Sequence, residues 1–359
     1  MKFSWFIALL CTTFGIMAQD GYQYHVPKDL NDGWPVKSIY ESDLKAGPVI
    51  SSMGTYVVRG KYNPDSYLIA KNGELVLEEY DTYSDSNTKH DLRSVTKSII
   101  ALLTGVAIEQ GLFQLDDLVQ NHLIELRDAK NVDLRKTKIT IRHLLTMSSG
   151  LDCNDWDKKS KGQEDRIYKK KSWIQALADL PMVNEPGEAS FYCTGGVIML
   201  ASILERSSGL SLQEYAQKHL FSPLDIKEVD WGHTNKKQVI SAGKRLYMRS
   251  RDMARLGMLL LHDGQWKGQQ VVPKSWITQL HQTKTAINNM DYSYWWWQIS
   301  FPNNGKSVKA TVATGNGGQY IMCFPEHDMV VVFTGSAFNS PEQQKPFGII
   351  NNYILPALR

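Results

Sequence analysis

Ser94 and Lys97 are the two residues of this chain best suited to covalent chemistry. They are three positions apart, and they precede the apolar run at 98–103. On a helix, residues i and i+3 share a face, so the Lys97 amine can reach the Ser94 hydroxyl and act as its base. Unpaired N–H groups at a helix start also favour a developing oxyanion by up to about 2 kcal/mol. The spacing therefore predicts a serine nucleophile with its own base.

The Ser-x-x-Lys pattern does not identify the site by itself, because it occurs three more times. Ser42 and Ser86 begin copies in polar, aspartate-containing stretches, and Gly243 interrupts the copy that begins at Ser241. None of these copies opens a run that a helix could bury. The alternative interpretation of Ser94 is a helix-capping serine followed by a solvated lysine.

The start of the chain predicts export. Lys2 precedes an apolar run at 5–10, and small residues at 15–18 precede a polar pair, which is typical of a cleaved signal peptide over 1–19. The run is too short to span a bilayer, so no transmembrane segment is expected after signal removal. Bulky Leu10 makes lipid anchoring at Cys11 a poor fit. We therefore expect a periplasmic or secreted protein.

Composition and charge exclude several classes of function. The 359 residues carry 40 basic and 37 acidic side chains, which argues against nucleic-acid binding. Basic residues at 158–171 alternate with acidic ones, which predicts a solvated loop. His233, His281 and His327 have no zinc-binding spacing, so we expect neither metal nor cofactor. No Gly-x-Ser-x-Gly elbow occurs, and His90 is interpreted as a surface or loop histidine.

Hydrophobic patterns place strands near both ends of the chain and helices between them. Two strand-like runs flank Asn72-Gly73 as a hairpin, and three more lie at 307–313, 319–324 and 329–335. This arrangement predicts an α/β (α+β) fold, with an antiparallel sheet built from 20–105 plus 300–359 and a mainly helical subdomain at 106–299. Helices are predicted at 98–111, 140–147, 173–180, 195–207, 212–220, 252–263 and 274–282, with a closing helix at 347–358.

Several separated motifs occur in one order that is typical of a known family. They are Ser94 to Lys97, the segment 139–151, Pro186-Gly187 followed by Tyr192, and the segment 315–319. Together they resemble the class C β-lactamase-like serine hydrolases, which include penicillin-binding DD-peptidases, carboxylesterases and 6-aminohexanoate-dimer hydrolases. The resemblance spans roughly Val57 to the C-terminus and implies the β-lactamase/transpeptidase-like fold. It is greatest to the 6-aminohexanoate-dimer hydrolase/esterase branch.

This resemblance implies roles for individual residues. Tyr192 would relay a proton between Ser94 and the leaving group, with Lys97 holding its charge state. Main-chain N–H groups of Ser94 and of Asn316, which follows Gly315, would form an oxyanion hole.

Two departures from the family pattern bear on the substrate. Thr194 replaces an asparagine and is expected, with Gly315, to contact the substrate, and Ala313 replaces a cationic residue that often binds a substrate carboxylate. Both favour a small ester or amide over a β-lactam or peptide terminus. A β-lactamase or DD-peptidase remains the first alternative, and a non-catalytic binding or scaffold protein the second.

Two further features stay open at the level of sequence. The aromatic run at 292–297, with Trp296 taken as a substrate contact, could line an apolar pocket or belong to the core. Three cysteines remain after signal removal, Cys153, Cys193 and Cys323, so at most one internal bridge can form. A Cys153–Cys193 bridge is one hypothesis, since both lie in segments expected near the site, and three buried thiols are the alternative. The oligomeric state is not indicated.

Overall fold

The strands form one large antiparallel sheet and two small ones. The computed structural model describes residues 22–54, 64–232, 245–303 and 305–359; the signal-peptide prediction, Cys11, His233 and the Ser241 copy of Ser-x-x-Lys lie outside these ranges. The strands are β1 Ser66–Lys71, β2 Glu74–Tyr80, β3 Lys89–Asp91, β4 Asp230–Trp231, β5 Leu246–Arg249, β6 Gln265–Trp266, β7 Gln269–Gln270, β8 Thr285–Ile287, β9 Met290–Ser293, β10 Trp296–Asn303, β11 Lys306–Gly315, β12 Gln319–Phe324 and β13 Met329–Thr334.

The large sheet joins the two ends of the chain, as predicted. Its strand order is β2-β1-β13-β12-β11-β10-β9-β8, and β1 pairs with β13 from Ser66 opposite Thr334 to Lys71 opposite Met329. The predicted hairpin around Asn72-Gly73 and the three predicted C-terminal strands are confirmed. β1, β12 and β13 are buried along their whole length, so these central strands carry helices on both faces.

The sheet begins further upstream than the sequence suggests. β8, β9 and the start of β10 belong to it, although they lie before residue 300. Asn288 and Asn289 turn the chain between β8 and β9, and both take positive φ, which asparagine tolerates. Tyr294 and Trp295 turn it again between β9 and β10. The aromatic run therefore forms part of a hairpin at the edge of the sheet.

The helices predicted in the middle of the chain are present, with ends that differ by a few residues. The helix at 212–220 stops as an α-helix at Ala216 and continues as a π-helical turn, Gln217–Phe221. Among the described residues, no helix is both long and apolar enough to cross a membrane. The α-helices are α1 Ala46–Ser52, α2 Val95–Glu109, α3 Val119–His122, α4 Ile141–Leu145, α5 Glu164–Ile167, α6 Trp173–Ala178, α7 Thr194–Ser208, α8 Leu212–Ala216, α9 Ser250–Leu261, α10 Lys274–Leu280, α11 Lys345–Ile349 and α12 Leu355–Ala357.

Two long helices lie at the centre of the molecule and bring the functional segments together. α2 is buried over thirteen residues from Val95 to Ala107 and contacts both α7 and β11. α9 packs against β13, β12 and β1, where Gly257 allows close approach: a Cβ there would lie 2.6 Å from Val330 Cγ1. Because α2 is bounded by α7 on one side and β11 on the other, its N-terminus is flanked by residues from both.

Candidate active site

Ser94 and Lys97 contact each other at the start of α2. Lys97 Nζ donates a hydrogen bond to Ser94 Oγ at 2.9 Å, and the Lys97 side chain is 1% exposed. Ser94 occupies the N-cap position, but its side chain makes no capping hydrogen bond. The hydroxyl therefore faces the lysine and not the helix backbone, which is the arrangement that a serine with its own base requires.

The residue before Ser94 has an unusual backbone conformation that sequence does not reveal. Arg93 has φ of +48°, in the left-handed region that non-glycine residues rarely adopt. Its N–H donates to Asp91 Oδ1 at 3.2 Å, and its guanidinium pairs with Asp91 at 3.1 Å and lies 4.5 Å from the centre of the Phe338 ring. These contacts hold a conformation that costs on the order of 1–3 kcal/mol, and they fix the turn that presents Ser94.

The end of β11 lies directly beside this turn. A Cβ on Gly315 would be 2.3 Å from the carbonyl oxygen of Leu92, so only glycine permits this approach. Asn316 follows, and its side chain exchanges hydrogen bonds with Asn339 at 2.7 and 2.8 Å. The amide side chain of Asn316 is therefore held by Asn339, which leaves the main chain as the part of this residue suited to binding an oxyanion.

Tyr192 completes the group from the other side of α2. The Lys97 Nζ atom lies 5.2 Å from the centre of the Tyr192 ring, and the tyrosine is mostly buried. Its neighbour Phe191 donates its N–H to the carbonyl of Met147 at 2.9 Å. Met147 follows α4, and at the start of that helix His143 and Thr140 form a reciprocal capping box. His143 therefore has a structural role.

Thr194 lies behind the site, where a substrate cannot contact it. Its side chain is fully buried, its N–H donates to Asp155 Oδ2 at 2.7 Å, and its hydroxyl lies 3.4 Å from Glu164. Asp155 Oδ1 accepts a second hydrogen bond, from the Glu164 N–H at 3.0 Å, and its own N–H donates to the Tyr192 carbonyl at 2.8 Å. Asp155 therefore links the start of α7 to the tyrosine, a role that the sequence analysis missed.

Asp155 also lies within electrostatic reach of Lys97. Burial raises the pKa of the Asp155 carboxyl, the charge of Lys97 opposes this effect, and Glu164 reinforces it. A carboxyl with a raised pKa binds a proton more tightly in the folded state, so its ionisation costs folding stability.

Asp155→Asn is therefore expected to change the pH dependence of stability. Between about pH 3.9, the ordinary aspartate pKa, and the raised pKa of Asp155, the melting temperature of the wild type should fall relative to that of the variant as pH rises. Above the raised pKa the difference should stay constant. Lost hydrogen bonds would lower the variant's melting temperature by an amount independent of pH. Melting temperatures of both proteins across this range measure the difference. Asp157→Asn, on the exposed part of the same loop, is the control, and a pH-independent difference for Asp155→Asn would contradict the prediction.

The aromatic run at 292–297 belongs largely to the core. Trp296 is 0% exposed, and its indole nitrogen has no hydrogen-bond partner among the described residues, so the expectation that it contacts substrate is not supported. Trp295 donates to the Leu144 carbonyl at 3.2 Å, while Ser98 donates to the carbonyl of Trp295 at 2.6 Å. Consecutive aromatic residues point in different directions. Here the two hydrogen bonds of Trp295 connect α4 and α2 to the edge of the sheet.

Trp297 and Tyr292 both reach the site, and the Tyr292 ring lies edge-on to that of Tyr192 at 6.5 Å. The Trp297 ring lies 6.2 Å from that of Tyr192 with an interplanar angle of 12°. Trp156, which the sequence analysis did not single out, stacks on Tyr192 at 5.0 Å and 3°. Its position in a charged loop gave no periodic signal, and only the fold brings it to the tyrosine.

A disulfide joins the two segments that carry Trp156 and Tyr192. Cys153 and Cys193 are bridged, which confirms the hypothesis of a bridge between them, and Cys323 is a free, buried thiol. Burial raises the pKa of the Cys323 thiol, which disfavours the thiolate and hence a nucleophilic role.

Two further predictions concern residues outside the group. His90 is buried in β3 with its Nδ1 3.7 Å from Asp65, so its interpretation as a surface or loop histidine was wrong. Pairing of β3 with β5 covers it. The basic side chains at 158–171 are exposed, as predicted for a solvated loop. Within the described ranges, no cluster of His, Cys, Asp or Glu side chains has a geometry that could hold a metal ion.

Comparisons with known proteins agree with this fold. A family model described as Beta-lactamase matches residues 58–350. A 6-aminohexanoate-dimer hydrolase of Paenarthrobacter ureafaciens is 22% identical over 317 residues, which cover 82% of this chain and 78% of that protein. EstCE1, a hydrolase with promiscuous acyltransferase activity, superposes with a TM-score of 0.68 at 16% identity, covering 85% of this chain and 97% of its own. A class C beta-lactamase gives a TM-score of 0.68 at 16% identity, with 90% and 99% covered. The two structures show a shared fold.

Proposed function

Because the chain belongs to the beta-lactamase family, a family of serine hydrolases, we propose that it cleaves an ester or amide bond through an acyl-enzyme on Ser94. The observation that carries this proposal is the 2.9 Å contact between Lys97 Nζ and Ser94 Oγ, beside the Tyr192 ring. A buried amine in contact with a hydroxyl that caps no helix is the arrangement of an activated nucleophile.

The proposed reaction proceeds in two halves. Ser94 Oγ attacks the substrate carbonyl while Lys97 and Tyr192 accept its proton, and main-chain N–H groups of Ser94 and Asn316 bind the oxyanion. The carbonyl re-forms, the bond to the leaving group breaks, and Tyr192 returns the proton to the departing oxygen or nitrogen. Water then attacks the carbonyl of the acyl-Ser94 ester and gives its proton to the same pair. The bond between the acyl carbon and Ser94 Oγ breaks, the pair returns the proton to Oγ, and the carboxylic acid leaves.

The expected substrate is small and neutral. Ala313 is fully buried in β11, at the position where the family often places a cation for a substrate carboxylate. An anionic β-lactam or peptide terminus would therefore lack that partner. The 6-aminohexanoate-dimer hydrolase relative supports amide cleavage over β-lactam cleavage.

We also propose that the protein is exported. The predicted signal peptide at 1–19 is the main argument, and the Cys153–Cys193 disulfide supports it, since disulfides persist in oxidising compartments such as the periplasm or the cell exterior.

A substrate panel tests the proposed activity. The protein without residues 1–19 is incubated with p-nitrophenyl acetate, a linear 6-aminohexanoate dimer, nitrocefin and a fluorescent penicillin. We expect turnover of the ester or the amide, with at least a tenfold lower kcat/KM for nitrocefin, since a lost ion pair costs about 1.4 kcal/mol or more. Rapid nitrocefin turnover without ester or amide cleavage would establish the β-lactamase alternative instead. No turnover and no covalent labelling would favour a binding protein.

A further inference from the structure

Three exposed aromatic side chains belong to the segments that form the candidate site. Trp156 is 49% exposed, Phe191 39% and Phe338 39%. Trp156 stacks on Tyr192, Phe191 precedes Tyr192 in the chain, and Phe338 packs on Arg93 and lies where a Cβ on Gly317 would meet it at 2.6 Å. Large apolar side chains exposed around a reactive group indicate that an apolar ligand covers them.

Trp156 is the part of this rim that contacts the catalytic group. Its ring lies parallel to that of Tyr192, and Trp297 lies 6.3 Å away at 10°, so the three rings form one nearly parallel set. Trp297 and Tyr192 are mostly buried, while about half of Trp156 is open to solvent. The three ring centres form a triangle with sides of 5.0, 6.2 and 6.3 Å, and its exposed corner is Trp156, whose open indole surface can receive another flat ring.

Two charged groups beside Tyr192 and Ser94 are already engaged: Asp155 accepts two main-chain hydrogen bonds, and Arg93 is paired with Asp91 and lies against Phe338. Asp157, Lys158 and Lys159 are exposed further along the loop. With Ala313 in place of a cation, the groups beside Ser94 and Tyr192 offer apolar contact in preference to ionic contact. This favours a neutral ligand group over a charged one.

We propose that Trp156 determines specificity by stacking against a flat, apolar leaving group, such as an aromatic alcohol or amine. This inference rests on the proposed function, in which Tyr192 protonates the leaving atom. A side chain stacked 5.0 Å from Tyr192 is next to the group that departs, and the acyl group remains on Ser94. Trp156 thus acts on the leaving-group side of the scissile bond.

Two acetate esters that differ only in the alcohol test this assignment. Benzyl acetate carries a flat apolar alcohol, and 2-methoxyethyl acetate carries a flexible polar alcohol of similar basicity. The wild type is expected to prefer the benzyl ester about five- to tenfold in kcat/KM, which is the selectivity that about 1 kcal/mol or more of ring stacking provides. Trp156→Ala should reduce this ratio to about one, and Trp156→Phe should retain most of it.

Tyr40→Ala removes an aromatic side chain that is 44% exposed and packs on Tyr24, outside the candidate site, and it should leave the ratio unchanged. Inhibition of the wild type by benzyl alcohol gives a second measurement that does not depend on a variant's folding, and it should exceed inhibition by 2-methoxyethanol. Equal loss of both rates in Trp156→Ala, or equal inhibition by the two alcohols, would overturn the assignment. Hydrolysis of both esters without preference would also overturn it while leaving the proposed function intact, whereas an unreactive Ser94 would remove the proposed function itself.

Discussion

Ser94→Ala is expected to lower kcat by about 10⁵- to 10⁶-fold, the loss that follows removal of the nucleophile from a serine hydrolase. A fluorophosphonate should add one phosphonyl group to the wild type and none to the variant, as measured by intact-mass spectrometry. The physical reason is the contact at the start of α2, where the buried Lys97 amine donates a hydrogen bond to the Ser94 hydroxyl. The variant should keep a low residual rate, because it still binds the substrate and its main-chain N–H groups still stabilise the oxyanion.

Ser98→Ala is the matched control for this experiment. Ser98 lies on the same helix and is buried, but it donates its hydrogen bond to the Trp295 carbonyl at 2.6 Å. Its removal should lower the free energy of unfolding by about 1–3 kcal/mol, because a buried carbonyl loses its partner, and the adduct should still form. An adduct that persists in Ser94→Ala, or that disappears in Ser98→Ala with the fold intact, would assign the nucleophile elsewhere.

The sequence predicts the sheet and the nucleophile because both have local signals. Asn72-Gly73 between two apolar runs specifies a hairpin, and a hydroxyl and amine at i and i+3 before an apolar run specify a polar pair at a helix start. β8 and β9 have no such signal. They are three and four residues long, and the single aromatic residue in them, Tyr292 of β9, suits a strand and a core equally well.

The rest of the site depends on contacts between distant segments. Asp155 and Trp156 lie in a loop whose mixed charges indicate only solvation, and neither has a periodic partner in sequence. Asp155 is held by hydrogen bonds with Tyr192 and Thr194, and Trp156 is held by stacking on the Tyr192 ring. These contacts form only when α7 packs on α2. Thr194 was placed beside the substrate by analogy with an asparagine, yet its side chain is buried and serves the Asp155 and Glu164 contacts instead. The left-handed backbone conformation of Arg93 is likewise maintained by contacts with Asp91 and Phe338. A residue with a side chain rarely adopts this conformation, so the sequence alone does not predict it.

The Cys153–Cys193 disulfide is expected to support both stability and activity. It closes a segment with a sequence separation of 40 residues, and restricting the unfolded chain over that length contributes about 3–4 kcal/mol. Cys153 precedes Asp155 and Trp156, and Cys193 follows Tyr192 directly. Gly195 packs against the bridge, since a Cβ there would lie 3.1 Å from Cys153 Sγ and 3.3 Å from Cys193 Sγ. The bridge therefore holds the loop, the tyrosine and the first turn of α7 in one unit.

The variant with both cysteines replaced by serine should unfold at lower denaturant concentration and show a lower kcat even where it is fully folded. The second effect follows because the ring of Tyr192 would lose its fixed position relative to Lys97, and proton transfer by a positioned group contributes about 10²- to 10⁴-fold to rate. Urea unfolding and ester turnover measure the two effects. With residues 1–19 removed from both proteins, reductant should produce the same changes in the wild type and none in the double-serine variant, because Cys323, the thiol left in the described residues, is buried and forms no disulfide. Equal kcat for the folded double variant and the wild type would show that packing alone positions Tyr192.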